Sequence, residues 1–146
     1  MERHQETGEA LESTDISDSP SLYRTSAVLI ASILGGPLAG AWIIAHNLQS
    51  MGQAHRVSSV WWTALGLIAV GLGLAFIVPE EVPGVAFAIA IAFGMHELSK
   101  FYMQEYLRLH MEREGAFVSN WWAVPVGICG ILLQLAVIGA LVLLDI

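Results

Sequence analysis

The stretch AVLIASILGGPLAGAWIIAH, residues 27–46, poses the main structural question of this chain. Its length matches the roughly 20 apolar residues, at about 1.5 Å each, that a helix needs to cross the hydrocarbon core. Gly35-Gly36-Pro37 interrupts it. That sequence would break a helix in a soluble protein, but membranes tolerate it because neighbouring helices can satisfy the freed carbonyl groups. The stretch therefore predicts a transmembrane helix, with a re-entrant hairpin at these three residues as the alternative.

The rest of the chain has the composition of an integral membrane protein. Of its 146 residues, 55% are hydrophobic and 13% are charged, whereas a soluble domain carries about 25% charged residues. The mean hydropathy is +0.64. Long apolar runs predict an all-α integral membrane protein, a four-transmembrane-helix bundle with helices at 27–46, 60–78, 84–114 and 121–144. The third helix is expected to continue as an amphipathic cytoplasmic or interfacial extension.

Residues 1–20 differ in composition from the membrane domain predicted at 21–146. They hold six acidic residues against the single Arg3, so we expect a disordered acidic tail. The tail lacks the basic start, apolar core and cleavage site of a signal peptide. Its charge argues against binding of nucleic acid or anionic lipid head groups through this end. The lone Cys129 allows no disulfide within the chain.

Two short patterns suggest an internal repeat. VSSVWW at 57–62 and VSNWW at 118–122 place tryptophan pairs 60 residues apart, and His46 and His96 begin His-x-Leu sequences 50 residues apart. These matches predict two tandem hairpins related as a parallel repeat, and the alternative is two unrelated hairpins. In either case tryptophans near helix ends are typical interfacial anchors. The anchors are Trp61, Trp62, Trp121 and Trp122.

Basic residues favour one orientation in the membrane. The linkers after the first and third helices contain Arg56, Lys100, Arg108 and Arg113. The positive-inside rule makes these linkers cytoplasmic and, for four crossings, puts both termini outside. Arg24 disagrees with this arrangement, because it lies near a helix end on the opposite face. A re-entrant first segment would instead place every basic residue inside.

Small residues spaced by four mark candidate packing faces on all four helices. Because lipid gives helices no hydrophobic reason to associate, close approach through small side chains supplies the packing. We expect packing within the chain, or a homodimer through one such face. The candidate positions are Gly36, Gly40, Gly71, Ala75, Ala86, Ala90, Gly94, Ala136 and Ala140.

Polar residues in or near the helices are candidates for a transport site. His96, Glu97 and Lys100 fall within about 24 Å of the start of the third helix, counted from Gly84, and ionisable groups within a membrane indicate function. The alternative places them at the interface, with Lys100 reaching water. Gln134 joins them as a polar candidate, or forms an interhelical hydrogen bond.

His46 and His96 are also candidate ligands of a haem or a metal, because two facing histidines in a bundle can hold either. No cysteine or carboxylate set completes a metal site, and we expect no cofactor. The sequence contains no GxSxG, HExxH or Walker motif. We therefore expect a protein that is not an enzyme.

Two stretches resemble a known group. GGPLAGAWIIAHNLQSMG at 35–52 is similar to the first-helix signature of small uncharacterised bacterial membrane proteins, in which GGPLAG is followed by an Asn and a short linker. GAFVSNWW at 115–122 resembles such chains too. The resemblance implies a multi-pass protein of the bacterial inner membrane and no defined activity.

These observations predict a protein that acts by protein–protein interaction in the lipid bilayer. It would be an accessory subunit, an assembly factor or an immunity-type partner, bound to another membrane protein or to a second copy of itself. The first alternative is a small dimeric transporter or channel that uses His96, Glu97 and Lys100. The second is a bis-histidine haem protein that uses His46 and His96.

Overall fold

The computed structural model describes residues 21–79 and 82–143, and within these ranges helices joined by loops are the regular secondary structure, with one isolated β-bridge between Leu22 and Phe117. The helices are α1 Thr25–Ser50, α2 Val57–Ile77, α3 Gly84–Glu112 and α4 Ala123–Leu143, with 3-10 turns at Ala54–Arg56 and Asn120–Trp122. The predicted all-α fold class is confirmed. The acidic tail predicted at 1–20 lies outside the described residues.

Length and composition make three helices suitable for crossing a membrane, and a fourth apolar segment is shorter. α1 is largely enclosed by the other helices, whereas the apolar parts of α2 and α3 face outward. Large apolar side chains such as Val70, Phe93 and Leu132 are more than half exposed. Such a continuous apolar exterior is unusual for a soluble monomer and is consistent with a membrane bundle.

α1 is not straight but folds back on itself at Gly36. This residue has φ 70° and ψ −171°, which are far from helical values. The backbone N–H of Tyr23 donates to Asn47 Oδ1 at 2.9 Å, although a straight helix would separate these residues by about 36 Å. The two arms, 25–35 and 37–50, therefore run antiparallel, and we call the pair the hairpin.

The hairpin corrects the prediction of a first helix that runs from one face of the bundle to the other. The re-entrant alternative describes the backbone instead. Residue 21 consequently lies at the same end of the bundle as the linkers, not at the opposite end from them. The two halves of the predicted repeat also differ in their first helix, because α1 is folded in half whereas α3 is a single continuous helix.

Several contacts define the end of the bundle at which the hairpin opens, which we call the loop end. The backbone N–H of Leu22 donates to Ala116 O at 3.2 Å, and Asn120 Nδ2 donates to Ser26 Oγ at 3.1 Å. The loop end therefore contains the start of α1, the linker before α2 and the linker before α4. From there the first arm extends about 16 Å, about half the length of α4.

The core surrounds the two arms of the hairpin. Val28 of the first arm and Ile44 of the second are fully buried, as are Met95 and Met103 of α3 and Val60 of α2. The amphipathic part of α3 beyond His96 contributes to this core once per turn, through Ser99, Met103 and Leu107, and the helix ends at Glu112, close to the predicted end at 114.

Candidate functional site

An apolar groove of about 600 Å³ opens between α2 and α4. The second arm of the hairpin forms its floor, and aromatic side chains stand near its loop end. We call it the apolar groove. Its lining residues are Tyr23, Leu38, Ala39, Trp42, Trp61, Trp122, Pro125, Val126, Cys129, Gly130 and Leu133.

The groove exists because α2 and α4 both pack on the hairpin but, over the described residues, not on each other. The second arm is thus left open between them around Leu38 and Trp42. From Trp122 to Leu133 the groove follows α4 for about 16 Å, or three helical turns. An elongated apolar opening of this length suits a helix side or a hydrocarbon chain.

Small residues bring the tip of the hairpin against α4. A Cβ added at Gly35 would lie 2.5 Å from Gly127 O, and one added at Gly130 would lie 2.7 Å from Gly35 O. Glycine is needed at these positions because the two backbones are already in contact. Gln134 Nε2 donates to Gly35 O at 3.1 Å, so this side chain supplies a donor to a carbonyl at the bend.

At the loop end, the buried side-chain amide of Asn47 connects the two arms of the hairpin. Asn47 is fully buried; its Nδ2 donates to Tyr23 O at 2.7 Å, and its Oδ1 accepts from the Tyr23 N–H at 2.9 Å. The same Nδ2 lies 3.3 Å from Met103 Sδ on α3. This side chain therefore joins the start of the first arm to the end of the second.

An aromatic cluster lies beside this amide at the loop end of the groove. His46 stacks on Trp42, with ring centroids 5.5 Å apart, and Tyr23 meets His46 edge-on at 5.6 Å. His96 has a different neighbour, since its Nδ1 lies 3.1 Å from Thr25 O. No group of three metal-binding side chains is found within residues 21–79 and 82–143.

The candidate transport residues lie at the loop end. Lys100 Nζ donates to Glu97 Oε1 at 2.6 Å, and the side chain of Glu97 is largely exposed whereas that of Lys100 is partly buried. Thr25, the neighbour of His96, is the first residue of α1. The three residues are thus next to one another on α3 but do not line the apolar groove, and Gln134 lies at the hairpin tip instead.

The small residues predicted as packing faces have several different surroundings. Gly36 and Gly40 lie inside the hairpin, where a Cβ would meet Gln134 Nε2 and Ser32 Oγ respectively. Gly71 faces α3, where a Cβ would lie 3.1 Å from Ile91 Cδ1. The Ala75 side chain lies outside the described part of the structure, and the remaining candidates are exposed. The exposed ones are Ala86, Ala90, Gly94, Ala136 and Ala140.

The four tryptophans predicted as interfacial anchors all lie near the loop end, at the starts of α2 and α4. Trp62 and Trp121 are 71% and 80% exposed and point away from the protein. Trp61 and Trp122 also line the apolar groove. Sequence reasoning missed this second role, and missed Tyr23, Trp42 and Asn47 altogether.

Comparison with known proteins adds no family to this picture. No protein-family model matches the chain, and no solved structure matches its fold.

Proposed function

We propose that this chain is a small multi-pass membrane protein that acts by binding another protein within the bilayer. The observation that supports this proposal is the apolar groove, which leaves part of the hairpin uncovered between two helices. We propose that its occupant is a transmembrane helix of a partner, as expected of an accessory subunit, assembly factor or immunity-type protein.

The chemistry of the groove favours a helix as occupant. Ala39, Cys129 and Gly130 give it small side chains along part of its wall, and small residues allow the close backbone approach on which helix association in lipid depends. Trp61 and Trp122 stand at its loop end, where an indole suits the head-group level. A partner helix would thus pack against small side chains within the hydrocarbon core and contact aromatic rings at the membrane interface.

We also propose an orientation in the bacterial inner membrane. If the hairpin enters and leaves from the loop end, the chain crosses only three times, through α2, α3 and α4. The described cations Arg24, Arg56, Lys100, Arg108 and Arg113 all belong to loop-end segments. The positive-inside rule then makes the loop end cytoplasmic and the C-terminus external.

Reporter fusions test this orientation. A reporter that is active only in the cytoplasm should work at the N-terminus, and one active only outside should work at the C-terminus. Four crossings would put both ends on one side, and that result would reject the three-crossing arrangement.

The native cysteine tests the binding proposal. Cys129 is exposed and lines the groove, so a photoactivatable maleimide attached there in native membranes should cross-link a partner helix. The matched control carries Cys129→Ser and Ala90→Cys, which moves the label to an exposed position on α3.

A discrete protein adduct is expected from position 129 and not from position 90. Adding Leu133→Trp should abolish it, because Leu133 is 54% exposed at the groove and a larger ring there would fill the space. An adduct with a second copy of the chain would identify a homodimer. Adducts with lipid alone, or equal labelling from both positions, would reject the proposal.

A further inference from the structure

A second cavity, of about 530 Å³, lies at the loop end between the start of α1 and the amphipathic part of α3. It is separate from the apolar groove, with which it shares no lining residue. Its wall combines three cations with hydrogen-bonding groups. These residues are Arg24, Lys100, Arg108, Thr25, Ser26 and Gln104; we call the site the basic cavity.

Arg24 contacts an aromatic ring and, among the described residues, pairs with no carboxylate. Its guanidinium carbon lies 5.0 Å from the centroid of the Phe117 ring, and it forms no salt bridge with any carboxylate of residues 21–79 and 82–143. Phe117 is itself held in position. The next residue, Val118, donates its N–H to Leu22 O at 2.9 Å, and the Phe117 ring contacts His110 edge-on. A cation over a ring keeps its N–H groups free for an anion.

The other two cations are paired, but only through exposed contacts. Lys100 donates to Glu97, and Arg108 has two carboxylate partners, because its Nη2 donates to Glu105 at 2.8 Å and its Nη1 lies 3.8 Å from Glu112 Oε1. All three pairs join residues one turn apart on α3 and are partly exposed to solvent, where such ion pairs contribute little to stability. The carboxylates are not part of the cavity wall, so the cations can exchange these partners for a ligand at small cost.

The combination points to a phosphate group. Arginine forks recognise phosphate oxygens through parallel N–H bonds, and the Thr25 hydroxyl is an additional donor, whereas the Ser26 hydroxyl donates to Asn120 Oδ1 at 3.4 Å. Leu107, Met111 and Phe117 add an apolar side to the cavity, which suits the start of a hydrocarbon chain. The cavity is at the same end of the bundle as the tryptophan pairs, and basic pockets at this level typically bind lipid head groups.

We propose that the basic cavity binds the phosphate head group of one anionic phospholipid. This inference rests on the membrane placement proposed above but not on a protein partner.

The test uses the purified full-length chain in nanodiscs made of phosphatidylcholine with graded phosphatidylglycerol, with retained lipid counted by native mass spectrometry. Removing one cationic side chain from the basic cavity should weaken retention of phosphatidylglycerol about fivefold, because a basic residue near an anionic surface contributes roughly 1 kcal/mol to binding. Arg24→Gln and Lys100→Gln should each show this loss. Arg56→Gln is the matched control, since Arg56 is exposed in the linker before α2 and outside the cavity.

Three results would overturn the proposal. Equal losses for Arg24→Gln, Lys100→Gln and Arg56→Gln would show general surface attraction. No preference for phosphatidylglycerol over phosphatidylcholine in the unmodified chain would remove the site. Displacement of phosphatidylglycerol by millimolar inorganic phosphate, with the same dependence on Arg24, would assign the cavity to free phosphate. Unchanged Cys129 cross-linking in Arg24→Gln would keep the partner proposal separate from this one.

Discussion

Replacing Asn47 by Ala tests the interaction that closes the hairpin. The amide is fully buried and bonds both the N–H and the carbonyl of Tyr23, at 2.9 and 2.7 Å. Truncation leaves both backbone groups without these partners, and each unsatisfied buried group costs about 1–3 kcal/mol. Because the loop end is close to water, which can reach these groups after relaxation, we expect a loss of about 2–4 kcal/mol in the free energy of unfolding.

Unfolding in mixed micelles of mild detergent and dodecyl sulfate, followed by tryptophan fluorescence, measures this loss. Gln49→Ala is the matched control, because Gln49 is exposed two residues further along the same arm. We expect the control to change the free energy of unfolding by less than about 0.5 kcal/mol. If Asn47→Ala costs no more than Gln49→Ala, the reasoning about the buried amide is refuted.

A distance measurement tests the hairpin itself. Spin labels at Ser21→Cys and Gln49→Cys, in a Cys129→Ser background, occupy exposed positions beside the Tyr23–Asn47 contact. The hairpin predicts a short separation, whereas a straight helix would place the two backbones about 42 Å apart. Asn47→Ala should broaden the short distance. A dominant distance near 40 Å in the unmodified chain would reject the hairpin.

Three further substitutions probe the tip of the hairpin in the same unfolding assay. Gly36→Ala should lower the free energy of unfolding by about 1–3 kcal/mol, because the φ of 70° and ψ of −171° at this position suit only glycine. The control Gly94→Ala, in open space within α3, should raise it by up to about 1 kcal/mol. Equal effects of the two substitutions would contradict the bend at Gly36. Gly130→Ala should cost about 1–3 kcal/mol because the new Cβ would lie 2.7 Å from Gly35 O, and a neutral result would mean that the tip does not touch α4. Gln134→Leu should cost about 0.6 kcal/mol, the average for a polar contact between membrane helices, and a gain in stability would show that the bond to the Gly35 carbonyl contributes nothing.

The sequence predicted three of the four helices almost to their ends. Predicted helices at 60–78, 84–114 and 121–144 compare with Val57–Ile77, Gly84–Glu112 and Ala123–Leu143. The helices at 60–78 and 121–144 are apolar runs, which length and hydropathy suffice to identify. The helix at 84–114 starts as such a run after a proline and continues with amphipathic helical spacing, which extends the prediction to its second half.

The direction of the first segment could not be predicted in the same way. Hydropathy counts apolar residues and is insensitive to a reversal halfway, so 27–46 has the same apparent signal whether it is straight or folded. The φ of Gly36 decides between these, and glycine allows both conformations. The charge of Arg24 disagreed with the orientation predicted for four crossings, and the hairpin places Arg24 at the same end of the bundle as Arg56, Arg108 and Arg113.

The candidate site was predictable only in part, for a related reason. Trp61 and Trp122 were recognised because an adjacent tryptophan pair at a helix start is visible in the sequence. Tyr23 and Trp42 were not, because they meet only when the hairpin folds back, with ring centroids 6.4 Å apart. Contacts between residues of one apolar segment leave no pattern of spacing when that segment reverses direction.

The two side-chain amides that bond the hairpin, those of Asn47 and Gln134, have different roles. Asn47 joins the two arms to each other at the loop end, whereas Gln134 belongs to α4 and joins the tip to a neighbouring helix. Gly35 lies at the bend, where its carbonyl accepts from the glutamine amide. This bond acts together with the close contacts of Gly35 with Gly127 and Gly130 to hold the tip of the hairpin against α4. Because the second arm follows directly from this tip and is the floor of the apolar groove, whereas α4 is one of its walls, these tip contacts together contribute to the width of the proposed binding surface.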